Sequence, residues 1–205
     1  MSSSKPDAPS GPKPAPPDAR ILLVVTGGIA AYKACDVVRE LRRAGVAVRV
    51  ILTKEAAQFV TALTFEALSG ERVFTELLPG VTDGAIDHIR LGREAHAVGI
   101  VPATANFLAK LWAGSADDLA SATLLALGAQ VPVLVAPAMN REMWDHPATR
   151  RNVKELVAMG RIRLLPPVVK ELACGEVGAG GLPDPTAIAA ALLALLASNR
   201  AAPAA

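Results

Sequence analysis

Cysteine is scarce in this chain. Only Cys35 and Cys174 occur among 205 residues, whereas a disulfide scaffold packs several cysteines into a much shorter secreted sequence. The expected setting is a reducing compartment, the cytoplasm. Aromatic residues are nearly as rare at 3%, which removes the stacking platforms on which single-stranded nucleic acids bind. Net charge is missing too. The 21 Lys and Arg face 19 Asp and Glu with no long run of either sign, so nothing electrostatic asks for a nucleic-acid partner. No apolar run approaches the roughly 20 residues of a membrane-spanning helix, so no membrane partner is expected, and no metal site either.

What is present is aliphatic. Hydrophobic residues make up 52% of the chain, with Ala, Val and Leu foremost as in buried parallel sheets, and the length suffices for one substantial core. The first nineteen residues hold six of the sixteen prolines among serines, glycines and alternating charges. Such a composition cannot bury enough surface to order itself. The domain reading is a disordered tail over 1–19, one folded domain over 20–197 and a short disordered tail over 198–205. The apolar stretch at 21–25 runs straight into Thr26, Gly27 and Gly28 and lacks the full hydrophobic region of a signal peptide.

From Arg20 onward, short β-branched runs alternate with longer stretches of helical period, the pattern of a parallel sheet covered by helices. Strands are predicted at 21–25, 47–52, 97–101 and 131–136, with a shorter fifth at 162–165. Helices are predicted at 29–44, 106–113, 119–129, 147–159 and 184–197. Ala30, Ala34, Val37, Val38 and Leu41 share one face of the first helix. Gly45 and Gly160 stand where left-handed helix ends need no side chain. The expected fold class is α/β, a single doubly wound, Rossmann-like parallel sheet with helices on both faces.

Ligands of open α/β sheets bind beyond the carboxyl ends of the strands, and there this sequence is distinctive. After the first strand come Thr26-Gly27-Gly28-Ile29-Ala30-Ala31-Tyr32-Lys33, whose glycines allow close backbone approach and whose helix start offers N–H groups to an anion. Taken alone, the same residues serve equally as a tight strand-to-helix turn. Thr53-Lys54-Glu55 follows the second strand and Pro102-Ala103-Thr104-Ala105-Asn106 the central one; the two threonines are natural helix caps as well as ligand hydroxyls. Pro137-Ala138-Met139-Asn140-Arg141-Glu142-Met143-Trp144 follows the fourth. Met139 and Trp144 suit core packing as well as a pocket wall, whereas Asn140 has no evident structural task, and its amide could grip a carboxylate.

The segments 26–33, 63–70, 102–106, 116–119 and 137–144 occur together and in order. In them, over about residues 20–197, the chain resembles the homo-oligomeric flavin-containing cysteine decarboxylases. The resemblance implies a flavoprotein fold and bound FMN, contacted by Gly27, Gly28, Ile29, Thr53, Ala103, Thr104, Asn106 and Ala138. It implies that His88, in Asp87-His88-Ile89-Arg90-Leu91, is a catalytic histidine reaching a neighbouring subunit's flavin in a homo-oligomer, a trimer or a dodecamer. It implies that Asn140, with Met143 nearby, holds the substrate carboxylate. Cys174, in Leu172-Ala173-Cys174-Gly175, matches a second catalytic residue on a flap whose glycines are Gly175, Gly178, Gly180 and Gly181, while Cys35 is left to structure.

Within that family the chain is most similar to the branch that converts phosphopantothenoylcysteine to phosphopantetheine for coenzyme A. There FMN takes a hydride equivalent from the carbon bearing the thiol, and the thioaldehyde so formed, β to the carboxylate, lets carbon dioxide leave. The enethiolate that remains takes hydride back while Cys174 donates a proton, and His88 assists the oxidative half as an acid–base or orienting group. The alternative substrate is the C-terminal cysteine of a ribosomal peptide, decarboxylated to an enethiol and left there. A further alternative is a flavin-carrying regulatory subunit without turnover. Gly181-Leu182-Pro183-Asp184-Pro185 stands where the branch shows Arg-Met-Ala-Glu-Pro, a difference that bears on substrate choice.

Overall fold

The computed structural model of the protein describes residues 19–77, 87–171, 175 and 177–201. The chain opens with β1 (Arg20–Val25), a 3-10 turn (Ile29–Lys33), α1 (Ala34–Arg43) and β2 (Ala47–Leu52). It continues through α2 (Ala62–Ser69), β3 (Val73–Phe74), α3 (Asp87–Glu94), β4 (Ala97–Ala103), α4 (Ala105–Ala113), α5 (Leu119–Leu125) and β5 (Val133–Pro137). It closes with α6 (Arg141–Asp145), α7 (Pro147–Ala158), β6 (Arg163–Leu164), a hairpin of β7 (Val168–Glu171) and β8 (Val177–Gly181), and α8 (Pro185–Ala201).

Strands β1 to β6 form one sheet in the order β3-β2-β1-β4-β5-β6, every pair parallel. This is the doubly wound arrangement expected from the sequence, with its switch point between β1 and β4. Side chains along a strand alternate between faces. Ile21, Leu23 and Val25 therefore join Val37, Val38 and Leu41 of α1 and Ile188 and Leu192 of α8 on one side, while Leu22 and Val24 meet Leu91, Phe107, Leu108 and Leu119 on the other. Each such fully buried Leu or Val stabilises the fold by about 1.5–3 kcal/mol relative to exposure, which is why β1 has no polar face. The C-terminal helix α8 packs on α1 and β4. At Gly99 it comes so near that an added Cβ would lie 3.0 Å from both Leu192 methyls.

Several boundaries differ from the sequence expectation. The helix predicted at 29–44 is split, because the Ala31 N–H bonds Gly28 O at 2.9 Å and winds the first turn tightly before α1 begins. The strand predicted from residue 131 starts at Val133, after Pro132, which has no N–H to give a ladder. The helix predicted at 119–129 stops at Leu125. The closing helix runs on to Ala201, into residues expected in the C-terminal tail, and Ala19, expected in the N-terminal tail, is buried and accepts the Ala47 N–H at 3.0 Å. The rest of both expected tails lies outside the described residues. Gly45 and Gly160 hold φ of 79° and 68°, as their helix-ending role requires.

Candidate active site

The loops after β1, β4 and β5 meet the β7–β8 hairpin at the switch point. Thr26, buried, fastens two of them: its hydroxyl donates to Pro102 O at 2.7 Å and accepts the Thr104 N–H at 3.0 Å. Thr104 in turn caps α4 by accepting the Phe107 N–H at 3.3 Å, and buried Thr53 accepts the Ala56 N–H at 3.3 Å. Thr104 thus does the capping work anticipated for it, whereas Thr53 bonds the turn ahead of the 3-10 segment 56–58, whose N-cap is Glu55.

The two glycines after β1 have different tasks. A Cβ at Gly27 would run into Glu55, whose carbonyl carbon would lie 2.8 Å away, so glycine is demanded there by the loop after β2. Gly28 has extended backbone, and a Cβ on it would meet only Thr104 Cγ2 at 3.7 Å. Its bare face opens to a cavity that Gly27 also lines. Across the site, Gly180 lies so close to Met139 O that no side chain fits there, and its own carbonyl accepts the Met139 N–H at 3.0 Å. The hairpin is thereby tied to the loop after β5.

Asn140 does have a structural task, contrary to the sequence reading. Its Oδ1 accepts the Glu142 N–H at 2.7 Å and the Met143 N–H at 3.3 Å, capping α6. With the oxygen committed to acceptance, donation from this side chain falls to Nδ2.

These elements enclose a cavity of about 590 Å³, within the range of small-molecule sites. Of the residues singled out from the sequence, Gly27, Gly28, Ile29, Thr104, Ala138, Asn140 and Met143 line it. Thr53 and Ala103 are buried behind it, and Asn106 is exposed on the first turn of α4. His88 lies on α3, half-buried and away from the cavity wall, with its Nδ1 buried and unpartnered among the described residues. Cys174 lies outside the described residues. Tyr32, Lys33 and Lys170 line the cavity without having been singled out; the first two stood in a quoted motif, while nothing local to Val168-Val169-Lys170 marks it. Among the described residues no group of three His, Cys, Asp or Glu could hold a metal ion, and no helix is long and apolar enough to cross a membrane.

Residues 12–197 match the family described as Flavoprotein. The chain is 48% identical over 184 residues to the coenzyme A biosynthesis bifunctional protein CoaBC of Mycobacterium bovis, covering 90% of this chain and 43% of that protein. To the Bacillus subtilis protein of the same name it is 46% identical over 165 residues, 80% of this chain and 40% of the relative. The chain thus spans less than half the length of these curated relatives. Among solved structures, a cysteine-to-serine mutant of a PPC decarboxylase complexed with pantothenoylaminoethenethiol superposes with a TM-score of 0.76 at 32% identity, covering 84% of this chain and 95% of that one. The FMN-binding protein AtHal3 superposes at 0.75 and 32% identity, over 88% and 98% of the two chains. The FMN-dependent cysteine decarboxylase SpaF gives 0.74 and 32%, over 90% and 99%.

Proposed function

The chain belongs to the Flavoprotein family, and from that premise we propose that it binds FMN and decarboxylates phosphopantothenoylcysteine to phosphopantetheine. The observation that carries this reading is a single cavity that joins a bare backbone wall at Gly28 to the capped Asn140. Names among the relatives support the substrate: CoaBC serves coenzyme A biosynthesis, and the solved decarboxylase holds the enethiol analogue expected between two half-reactions.

The residues present fit the cofactor. The absence of a side chain at Gly28 leaves room beside Thr104, Thr104 and Ala105 at the start of α4 line the same cavity, and its volume suits a mononucleotide. Gly27, Gly28, Ile29, Thr104 and Ala138 would hold FMN directly, with Asn106 at the start of α4, while Thr53 and Ala103 shape the loops from behind. When bound, FMN supplies a two-electron acceptor that the protein itself lacks. Asn140 Nδ2 donates to the substrate carboxylate and fixes it until carbon dioxide leaves, and Met143 covers the same end from the first turn of α6. Cys174 gives the proton to the enethiolate. Protein heated or acid-denatured after purification should release FMN in near-stoichiometric amount. No flavin, or only the dinucleotide form, would overturn the reading of the cavity.

His88 does not reach the cavity of its own chain, and Ile29 and Tyr32 at its rim are 59% and 54% exposed. Both features support a homo-oligomer, a trimer or a dodecamer, in which one subunit's His88 serves its neighbour's cavity; the proposed setting is the cytoplasm. Sedimentation should show a multiple of 21.1 kDa. A monodisperse monomer that still turns over would refute this.

A further inference from the structure

Two cations face the same cavity, and the decarboxylation chemistry uses neither. Lys33 ends the 3-10 turn after β1, and Lys170 projects from β7; both are half-buried and both line the cavity. The course of Lys170 is prepared by the hairpin. Its methylene chain lies across Gly181 so closely that a Cβ at that position would overlap Cγ, Cδ and Cε, and its Nζ donates to Leu182 O. Glycine on the facing strand thus opens the channel through which the ammonium reaches the cavity.

Like charges converging on a partly desolvated wall are unfavourable unless an anion joins them. Burial, and then the neighbouring Lys33 ammonium, hold Lys170 below the ordinary lysine value, with Asp184 pulling the other way. Asp184 is one carboxylate for two ammonium groups, and its Oδ1 is already engaged by the Thr186 N–H at 2.9 Å and the Thr186 hydroxyl at 2.6 Å. The wall keeps an excess of positive charge.

Lys33 stands apart from both ends already assigned. It lies five residues beyond Gly28, about 10 Å along a 3-10 path. β1, which leads into Lys33, and β5, which leads into Asn140, stand two strands apart, about 10 Å in a parallel sheet, while the hairpin of Lys170 meets the Asn140 loop at Gly180. Building on the decarboxylase reading, we propose that Lys33 and Lys170 form the subsite for the phosphate monoester of the substrate and make the enzyme discriminate phosphorylated from unphosphorylated pantothenoyl compounds. A dianion neutralises both ammonium groups and accepts from each.

The test uses the flavin-loaded protein and calorimetric binding of phosphopantetheine against pantetheine. Wild type should bind the phosphorylated compound at least about tenfold more tightly, the scale of one charge-assisted hydrogen bond. Lys33→Met and Lys170→Met should each shrink that ratio, the double variant should bring it near one, and Lys170→Arg should keep it. An undiminished ratio in the double variant overturns the proposal. So does a variant that loses FMN but keeps the ratio, since the pair would then serve the cofactor. If wild type binds neither compound, the decarboxylase reading falls on its own account. The anion site is then read from the methyl signals of 13C-dimethylated lysines during titration with inorganic phosphate: movement of both signals supports it, and no movement overturns it.

Discussion

Asn140→Asp should abolish decarboxylation while leaving FMN bound and the fold intact. Aspartate caps a helix as well as asparagine does, so the bonds from the Glu142 and Met143 N–H groups survive the change. What disappears is the Nδ2 donor, and what arrives is a negative charge facing the substrate carboxylate. Losing a donor in a partly buried site is worth about 1–3 kcal/mol, and two like charges about 4 Å apart near a protein surface repel by about 4 kcal/mol. Together these imply a fall in kcat/KM of about a thousandfold or more. Carbon dioxide release measures the loss, and flavin absorbance verifies the site. Unchanged turnover would leave Asn140 as a cap and nothing else. Asn140→Ala is the complementary variant, since it should lower stability by about 1 kcal/mol through the cap.

Cys174→Ser should split the reaction in two. On the proposed function, the oxidative half would need flavin, His88 and Asn140, whereas the reductive half would need a proton donor over the enethiolate, and a serine hydroxyl is a far weaker acid than a thiol. The variant should bleach its flavin, release one equivalent of carbon dioxide and stop, with a product two hydrogens lighter than the saturated thiol. Wild type should complete the cycle with no added oxidant. If wild type itself stops at the enethiol and consumes oxygen to regain its flavin, the peptide-cysteine alternative replaces the coenzyme A reading.

The sequence was most legible where one physical demand dominated. Strands β1, β2 and β4 lie in the middle of a parallel sheet, so they are mainly apolar, with Arg20 at the start of β1 and half-buried Arg49 inside β2 as the exceptions, and the sequence pattern locates them nearly to the residue. Two-residue β3 carries no period to detect, and β7–β8 is interrupted by glycines whose purpose lies in tertiary contacts: Gly180 against Met139 and Gly181 under Lys170. The sequence motif assigns Gly27 to a ligand, whereas the structure requires it beside Glu55. Asn140 was noticed for a ligand too, although its place just ahead of Arg141-Glu142-Met143 carried a helix-start signal, with an acidic residue in the first turn. Lys170 acquires its meaning only when the hairpin folds back beside Lys33, which no local pattern could announce.

The place of β1 in the sheet has a consequence for how the protein comes into being. First among the described strands, it lies in the middle, and its two neighbours are synthesised at very different times: Ile21 pairs with Val48 on one side and with Ala97 on the other. Early in synthesis a β1-α1-β2 unit can close by local contacts, yet it presents an open ladder edge to solvent. One face of α1 stays uncovered longer still, because Ile188, Leu192 and Leu196 of α8 complete that layer. A nascent chain therefore carries exposed aliphatic surface until α8 has emerged, the condition under which chaperones are recruited. Within this fold, the helix that comes last in the described order seals the strand that comes first.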